Sequence, residues 1–353
     1  MKKTIIVLTM FVTISLNAQI RAMWVPIWEI TTPEKADQVI SDLNKHDINQ
    51  LLVQVRYRGD AAYTPNKISN FYKNNEKQYH AVKDSLFDPL DYLLAISTNT
   101  NLEIHAWVTT FVITGHNLEK LHPEHIYFTN LELVTSNFSQ EKMNYESYMG
   151  AYLDPGIPQV QKYTKNVILD LVSNYKIDGI HLDYIRYPDS HFGFAELALE
   201  AYKKDVKFQD ADAWKQWKED QITNFVKDIY ANIQKISPNV ELTAAVISNL
   251  DEAERFSQNW VKWLQEGYLD RAYLMEYSTS TTSIEKHLNF LSNYDMNDKI
   301  VVGLRCWSTA YKYPAYKINE KIKLVNRKNF VGYALFSYTG IIESQYFNSL
   351  KIK

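Results

Sequence analysis

Residues 178–188 read DGIHLDYIRYP and carry Asp178, His181, Asp183 and Arg186 in a run whose apolar residues alternate. Alternation at period two marks a strand, and a buried strand gains nothing from an unpaired carboxylate or imidazole. Asp183 would stand near the C-terminal end of that strand, with His181 one pleat beneath it on the same face. A carboxylate in that place can act as nucleophile, as proton donor or acceptor, or as stabiliser of a charged transition state. Its structural alternative is a network aspartate that ties His181 or Arg186 into place.

Other strand-like runs repeat the pattern. In VQVRYRGD, residues 53–60, Val53, Val55 and Tyr57 share one face and Gln54, Arg56, Arg58 and Asp60 the other. The apolar set suits packing against helices, and the polar set points inward or lines a mouth. A guanidinium there needs a carboxylate or a polar ligand, so Arg56 either pairs with Asp60 or meets substrate. In EIHAWVTT, His105 and Trp107 share a face; in VVGLRCW, Gly303, Arg305 and Trp307 do. Indole and phenol faces beside arginines and carboxylates suit a sugar, which offers C–H faces to stack and hydroxyls to bond. The expected substrate-contacting shell is Arg56, His105, Trp107, His181, Arg186, Tyr277, Arg305 and Trp307. Arg186 has the opposite parity to Asp183, so it joins this shell only if the chain turns after Ile185.

The elements that must position these residues alternate in type along the chain. Apolar, β-branched runs at 21–30, 50–56, 102–112, 178–185, 241–249, 271–278, 299–307 and 330–341 read as strands. Between them lie amphipathic stretches: TPEKADQVISDLNKHD, with Thr32 as N-cap and Pro33 at the first helical position, then PLDYLLAISTNT, PQVQKYTKNVILDLVSNY, WKQWKEDQITNFVKDIYANIQKI, RFSQNWVKWLQEGY, SIEKHLNFLSNY and INEKIKLVNRK. Eight strands alternating with helices is the count of an α/β (β/α)8 TIM barrel in a single domain, residues 19–353. An open doubly wound sheet would show a glycine-rich turn after its first strand, and none is present. The long insertions follow strands two, three and four, on the rim where barrel enzymes keep their sites.

Charge and composition narrow the partners. The 353 residues carry a formal net charge of -3, which gives no electrostatic reason to expect nucleic acid or an anionic membrane. The opening MKKTIIVLTMFVTISLNAQI has two lysines, an apolar run and Ala18 before Gln19, the layout of a secretory signal peptide over residues 1–18. Leu16 is larger than the residue usual three places before the cut. The expectation is export, to the periplasm or outside the cell, with no stable membrane insertion after cleavage. Cys306 is the sole cysteine and sits in an apolar run, so an internal disulfide is excluded and a buried thiol expected. No zinc-type spacing is present; His105, His181 and Asp183 match no ligand pattern, and GHNLEKLHPEHIYF reads as a solvated rim loop. No metal and no cofactor are expected.

Taken in order, RAMWVPIW, LLVQVRYRGDAAYTP, IHAWV, AYLDPGIPQVQKY and YKIDGIHLDYIRYP resemble the glycosyl-hydrolase-like family 10 proteins, formerly uncharacterised family 187, across essentially the whole mature chain. The resemblance implies a (β/α)8 barrel, often exported, that cleaves bacterial or other complex glycans, including peptidoglycan strands. The fourth strand is also similar to the family 18 chitinase pattern Asp-Gly-x-Asp-x-Asp-x-Glu. Asp178 and Asp183 align with its first and last aspartates, His181 stands at the middle one, and Ile185 replaces the catalytic glutamate. Glycoside cleavage ordinarily uses two carboxylates, so a partner for Asp183 must come from elsewhere. Glu276, in LMEYS at the end of strand six, is the first choice; the similarity of Met-x-Tyr there to family 18 would turn it outward. Asp60, which shares parity with Arg56, and Glu29 are the reserves.

The reading is an exported glycoside hydrolase acting on an oligosaccharide or polysaccharide, with Asp183 as central carboxylate and Glu276 or Asp60 as partner. The alternative is a glycan-binding barrel that has lost catalysis. A polysaccharide deacetylase would need a metal site that the sequence does not show.

Overall fold

The computed structural model describes residues 19–309 and 311–352; the signal peptide expected over residues 1–18 lies outside them. Eight parallel strands close into a barrel: Ile20–Val25, Gln50–Tyr57, Glu103–Thr109, Gly179–Asp183, Glu241–Val246, Arg271–Glu276, Ile300–Arg305 and Gly332–Phe336. Each pairs with the next, and the eighth returns to the first through Ile20 opposite Gly332. The expected (β/α)8 architecture is the one found.

Helices follow the strands as their caps dictate. Thr32 accepts a hydrogen bond from the Lys35 amide and Pro33 opens the helix Pro33–Lys45. Asp88 caps Pro89–Ser97 in the same way. The longest helix, Ala211–Ile236, begins at Asp210, whose side chain accepts from the Ala213 amide. No helix among the described residues is long and apolar enough to cross a membrane.

Several sequence-drawn boundaries move, and three of them have a plain local reason. The first strand ends at Val25, because Pro26 supplies no amide for the ladder and Ile27–Glu29 forms a 3-10 turn. The stretch 255–268 holds the end of one helix, Leu250–Arg255, and all of another, Trp260–Gln265, split by a left-handed Ser257. The run 330–341 is a strand only to Phe336. Ser337 then accepts from the Gly340 amide and starts the helix Tyr338–Glu343.

The core is double. An apolar layer between strands and helices takes Val53, Val55, Ile180 and Leu182, among others, all fully buried. A smaller cluster fills the lumen with Ala22, Trp24, Leu52, Trp107, Ala245, Tyr273, Val301 and Ala334. Polar residues share that lumen and satisfy one another. Trp24 Nε1 donates to His181 Nε2 at 3.0 Å, which leaves His181 Nδ1–H to donate to Thr243 Oγ1 at 3.0 Å. Gln50 Nε2 donates toward His105 Nε2 at 3.1 Å, and Gln50 Oε1 accepts from the Tyr273 hydroxyl. Burial drives both imidazoles to the neutral form, His105 down to about 3 and His181 well below the ordinary value. Gly179 makes this possible, since a Cβ there would collide with the His105 ring. His105 and His181 thus sit beneath the floor of the mouth as packing groups, not in the substrate shell where the sequence placed them.

Candidate active site

A cleft of about 370 Å³ opens at the C-terminal ends of the strands. Asp183, the last residue of the fourth strand, lies on its floor, 8 % exposed. Asp183 Oδ2 accepts from Trp107 Nε1 at 3.1 Å, and Oδ1 accepts from its neighbour's amide, Tyr184 N, at 2.8 Å. The strand register sets the first bond: Trp107 lies opposite His181 and Thr109 opposite Asp183, so the indole of one strand reaches up to the carboxylate of the next. Burial raises the Asp183 pKa above the usual carboxylate range, while the Arg186 charge, the two donors and Arg58 pull the other way.

The chain turns at once after Asp183. Tyr184 takes a left-handed φ of 53°, rare for a bulky residue. The turn brings Arg186 over the Tyr184 ring at 4.7 Å and lets its charge act on Asp183. Arg186 Nη1 is buried without a hydrogen-bond partner among the described residues. The chain thus turns two residues earlier than the sequence suggested, and Arg186, though its charge reaches Asp183, is not among the residues that line the cleft.

Aromatic side chains make the walls: Trp28, Tyr57, Trp107, Tyr184, Trp307 and Phe336 all line the cleft. Tyr277 packs behind them, 5.2 Å from the Trp307 ring and 5.3 Å from Phe336, and feels the Asp183 charge. Arg305 stands under Trp307, with its guanidinium 4.3 Å from that ring and Nε donating to Trp307 O at 3.2 Å. Trp107 and Trp307 are at the cleft surface, while Tyr277 and Arg305 support it.

Three expected members are elsewhere. A register shift between Gln54 and Arg56 turns Arg56 out of the lumen. Arg56 is fully buried, with Nε donating to both Glu76 oxygens at 2.8 and 3.0 Å and Nη1 donating to Thr110 O at 3.1 Å. Its partner is thus Glu76, neither Asp60 nor a sugar. Asp60 lies in a two-residue strand folded back on the second barrel strand, outside the cleft, and burial with the nearby Glu76 charge pushes its pKa up to about 8. Glu276 faces the helix layer, where its Oε2 pairs with His287 Nδ1 at 2.6 Å. The lumen side of that strand belongs to Tyr273 and Met275, so the outward orientation follows from the period of two. Glu29, the other reserve, accepts from Thr339 Oγ1 at 2.6 Å beside the rim.

The cleft holds residues that the sequence reading left out of the substrate-contacting shell. Gln54 and Arg58 had the right parity. Trp28 was hidden inside what read as a continuous first strand, and Glu343 follows a segment read as strand that is helical. Glu343 is the second carboxylate lining the cleft among the described residues, and it is exposed. The histidine-bearing loop is only partly solvated: His125 is buried, with Nε2 donating to Arg58 O at 3.0 Å. Among the described residues no group of three or more His, Cys, Asp or Glu is arranged to hold a metal ion. Cys306 is buried and burial raises its thiol pKa.

The glycosyl hydrolase-like 10 pattern matches residues 18–330. The chain belongs to that family. It is 26% identical over 292 residues to the glycosyl hydrolase YngK of Bacillus subtilis, covering 72% of this chain and 53% of the relative. It is 22% identical over 257 residues to the glycosyl hydrolase DigH of Escherichia coli, covering 65% of this chain and 55% of the relative. The matched region thus spans about half the length of these curated relatives. In structure it resembles the PgaB (BpsB) glycoside hydrolase domain of Bordetella bronchiseptica, with a TM-score of 0.72 at 12% identity over 95% of this chain and 99% of that one. It also resembles the catalytic domain of a β-amylase from Paenibacillus polymyxa, with a TM-score of 0.62 at 11% identity over 94% and 95% of the two chains. These similarities in structure show the barrel fold shared with glycoside hydrolases. The helix Tyr338–Glu343, which carries part of the cleft rim, lies beyond the residues matched by the family pattern.

Proposed function

We propose that this protein is a glycoside hydrolase that cuts O-glycosidic bonds of a complex glycan, with Asp183 as its central carboxylate. The observation that carries this reading is Asp183 itself. It is a nearly buried carboxylate on the floor of an aromatic-walled cleft, held by Trp107 and by the Tyr184 amide. Aromatic faces bind pyranose rings, and a carboxylate held in a fixed orientation beneath them can act on the bond between two rings. Glu343 lines the same cleft and is the available second carboxylate. The chain is exported in this reading, and bacterial polysaccharides, peptidoglycan strands first among them, are the substrates to try. The test is product release from denuded peptidoglycan and a polysaccharide panel, read by mass spectrometry, for wild type, Asp183→Asn and Glu343→Gln. Cleavage by wild type that Asp183→Asn loses supports the hydrolase.

A second reading, a glycan-binding barrel without catalysis, draws on Ile185 at the chitinase glutamate position and on the outward Glu276. Glycan binding without cleavage, unchanged in Asp183→Asn, would favour it over the hydrolase.

A further inference from the structure

We propose that Trp28 is a pyranose-stacking subsite of this cleft, set in position by a hydrogen-bonded relay through Thr339 to Glu29. The inference rests on the glycan reading above and adds to it a binding group and the device that orients it. Trp28 is 39 % exposed, and it lines the cleft that contains Asp183. An exposed indole is ordinarily free to change rotamer. This one is held at its Nε1 and packs against a neighbouring ring.

Its Nε1 donates to Thr339 Oγ1 at 3.0 Å, and Thr339 Oγ1 donates to Glu29 Oε1 at 2.6 Å. The direction of the relay is fixed by chemistry. An indole N–H can only donate, and a hydroxyl has a single hydrogen, so that hydrogen must go to the carboxylate while a lone pair meets the indole. The backbone of the turn is fixed separately, with the Trp28 carbonyl accepting from Lys35 Nζ at 2.7 Å. The ring itself stands perpendicular to Tyr57, with centroids 6.1 Å apart and an interplanar angle of 89°.

These restraints join the turn after the first strand to the first turn of the helix after the eighth, where the barrel closes. Restraining an exposed indole gives little to the core, since the ring stays in water. What it gives is a flat apolar face whose ordering cost is already met before a ligand arrives. The ligand that fits such a face beside a carboxylate is a sugar ring presenting its C–H side. Thr339 is a positioning residue in this account; it acts through Trp28.

The test uses the full chain labelled with 5-fluorotryptophan, with the Trp28 fluorine signal assigned by its loss in Trp28→Phe. Chitohexaose, cellohexaose and maltohexaose are the probes, alongside any oligosaccharide that wild type is found to cleave. At least one is expected to shift the Trp28 signal. Thr339→Val, which keeps the side-chain shape but loses the hydroxyl, is expected to broaden or move that signal without ligand, and Thr339→Ser to restore it. On a cleaved oligosaccharide Thr339→Val raises KM by about threefold and Trp28→Ala by about tenfold, with kcat within about twofold of wild type. A shift of the Trp107 or Trp307 signals with Trp28 unmoved overturns the subsite and leaves the glycan reading standing. If no probe is cleaved and none moves any tryptophan signal, the glycan reading and the subsite fall together. A Trp28 signal indifferent to Thr339→Val overturns the relay alone.

Discussion

Trp107 and Asp183 lie on adjacent barrel strands, and the indole of the first donates its N–H to the carboxylate of the second at 3.1 Å. The bond exists because the register sets Trp107 level with His181, one pleat below Asp183. It gives the floor carboxylate a fixed orientation, and it favours the ionised form against a burial that opposes it.

Replacing Trp107 with Phe removes that donor and keeps an aromatic ring. The Asp183 pKa, already raised by burial, should rise further, because a hydrogen bond to the charged form has been lost. If Asp183 works ionised, the acid limb of the kcat/KM profile moves to higher pH by about half a unit or more. A limb that moves to lower pH, or stays put in a variant with wild-type thermal stability, would contradict this assignment.

Asp183→Asn should lower kcat by about a thousandfold or more while the protein stays folded. The sign of the stability effect follows from linkage. A carboxyl whose folded pKa is raised contributes stability at low pH that is lost as pH rises through the folded value. The neutral amide removes that loss but leaves one of the two donors facing an NH2 group. Near neutral pH the two effects oppose each other, and Tm should stay within about 4 °C of wild type. Calorimetry at two pH values, run beside the kinetics, checks both halves.

Glu276→Gln should leave kcat within about threefold of wild type and lower stability by about 1–3 kcal/mol, because the carboxylate serves His287 and not the cleft. Urea unfolding and steady-state kinetics measure the two separately. A large kcat loss without a stability loss would return Glu276 to the chemistry.

Arg56→Met leaves Glu76 and the Tyr163 hydroxyl without their buried cation. The expected cost is about 3–5 kcal/mol, which the paired change Glu76→Leu should partly recover. Substrate KM of whatever folds should be unaffected. Unfolding of the single and double variants, compared in one cycle, decides between a structural pair and a substrate contact.

Export has its own check. Protein recovered from a secreting host should begin at Gln19, by intact mass, if the leader is cut after Ala18. A chain that keeps its first residues and stays inside the cell would remove the export proposal.

The sequence by itself determined the barrel. Strand and helix periods are local properties written in residue order, and eight alternations leave few ways to bury every apolar face. It also determined that Asp183 stands near the end of the fourth strand and that Trp107 lies on the third, since parity within a regular strand is arithmetic; that the two meet is set by the register between those strands. It came close at Glu276, where Met and Tyr on the same strand hinted at the outward turn that the lumen packing of Tyr273 and Met275 then made necessary.

Only the tertiary structure decided what lies past the regular segments. One extra residue in the second strand sends Arg56 to Glu76, twenty positions away in a loop without period. A left-handed Tyr184 brings Arg186 to Asp183 against the parity of the strand. The pairing of Trp28 with Thr339 joins residues 311 positions apart. Such contacts are set by where the barrel closes and how its rim loops fold back. They leave no periodic mark on the chain, because their partners meet only once the barrel is formed.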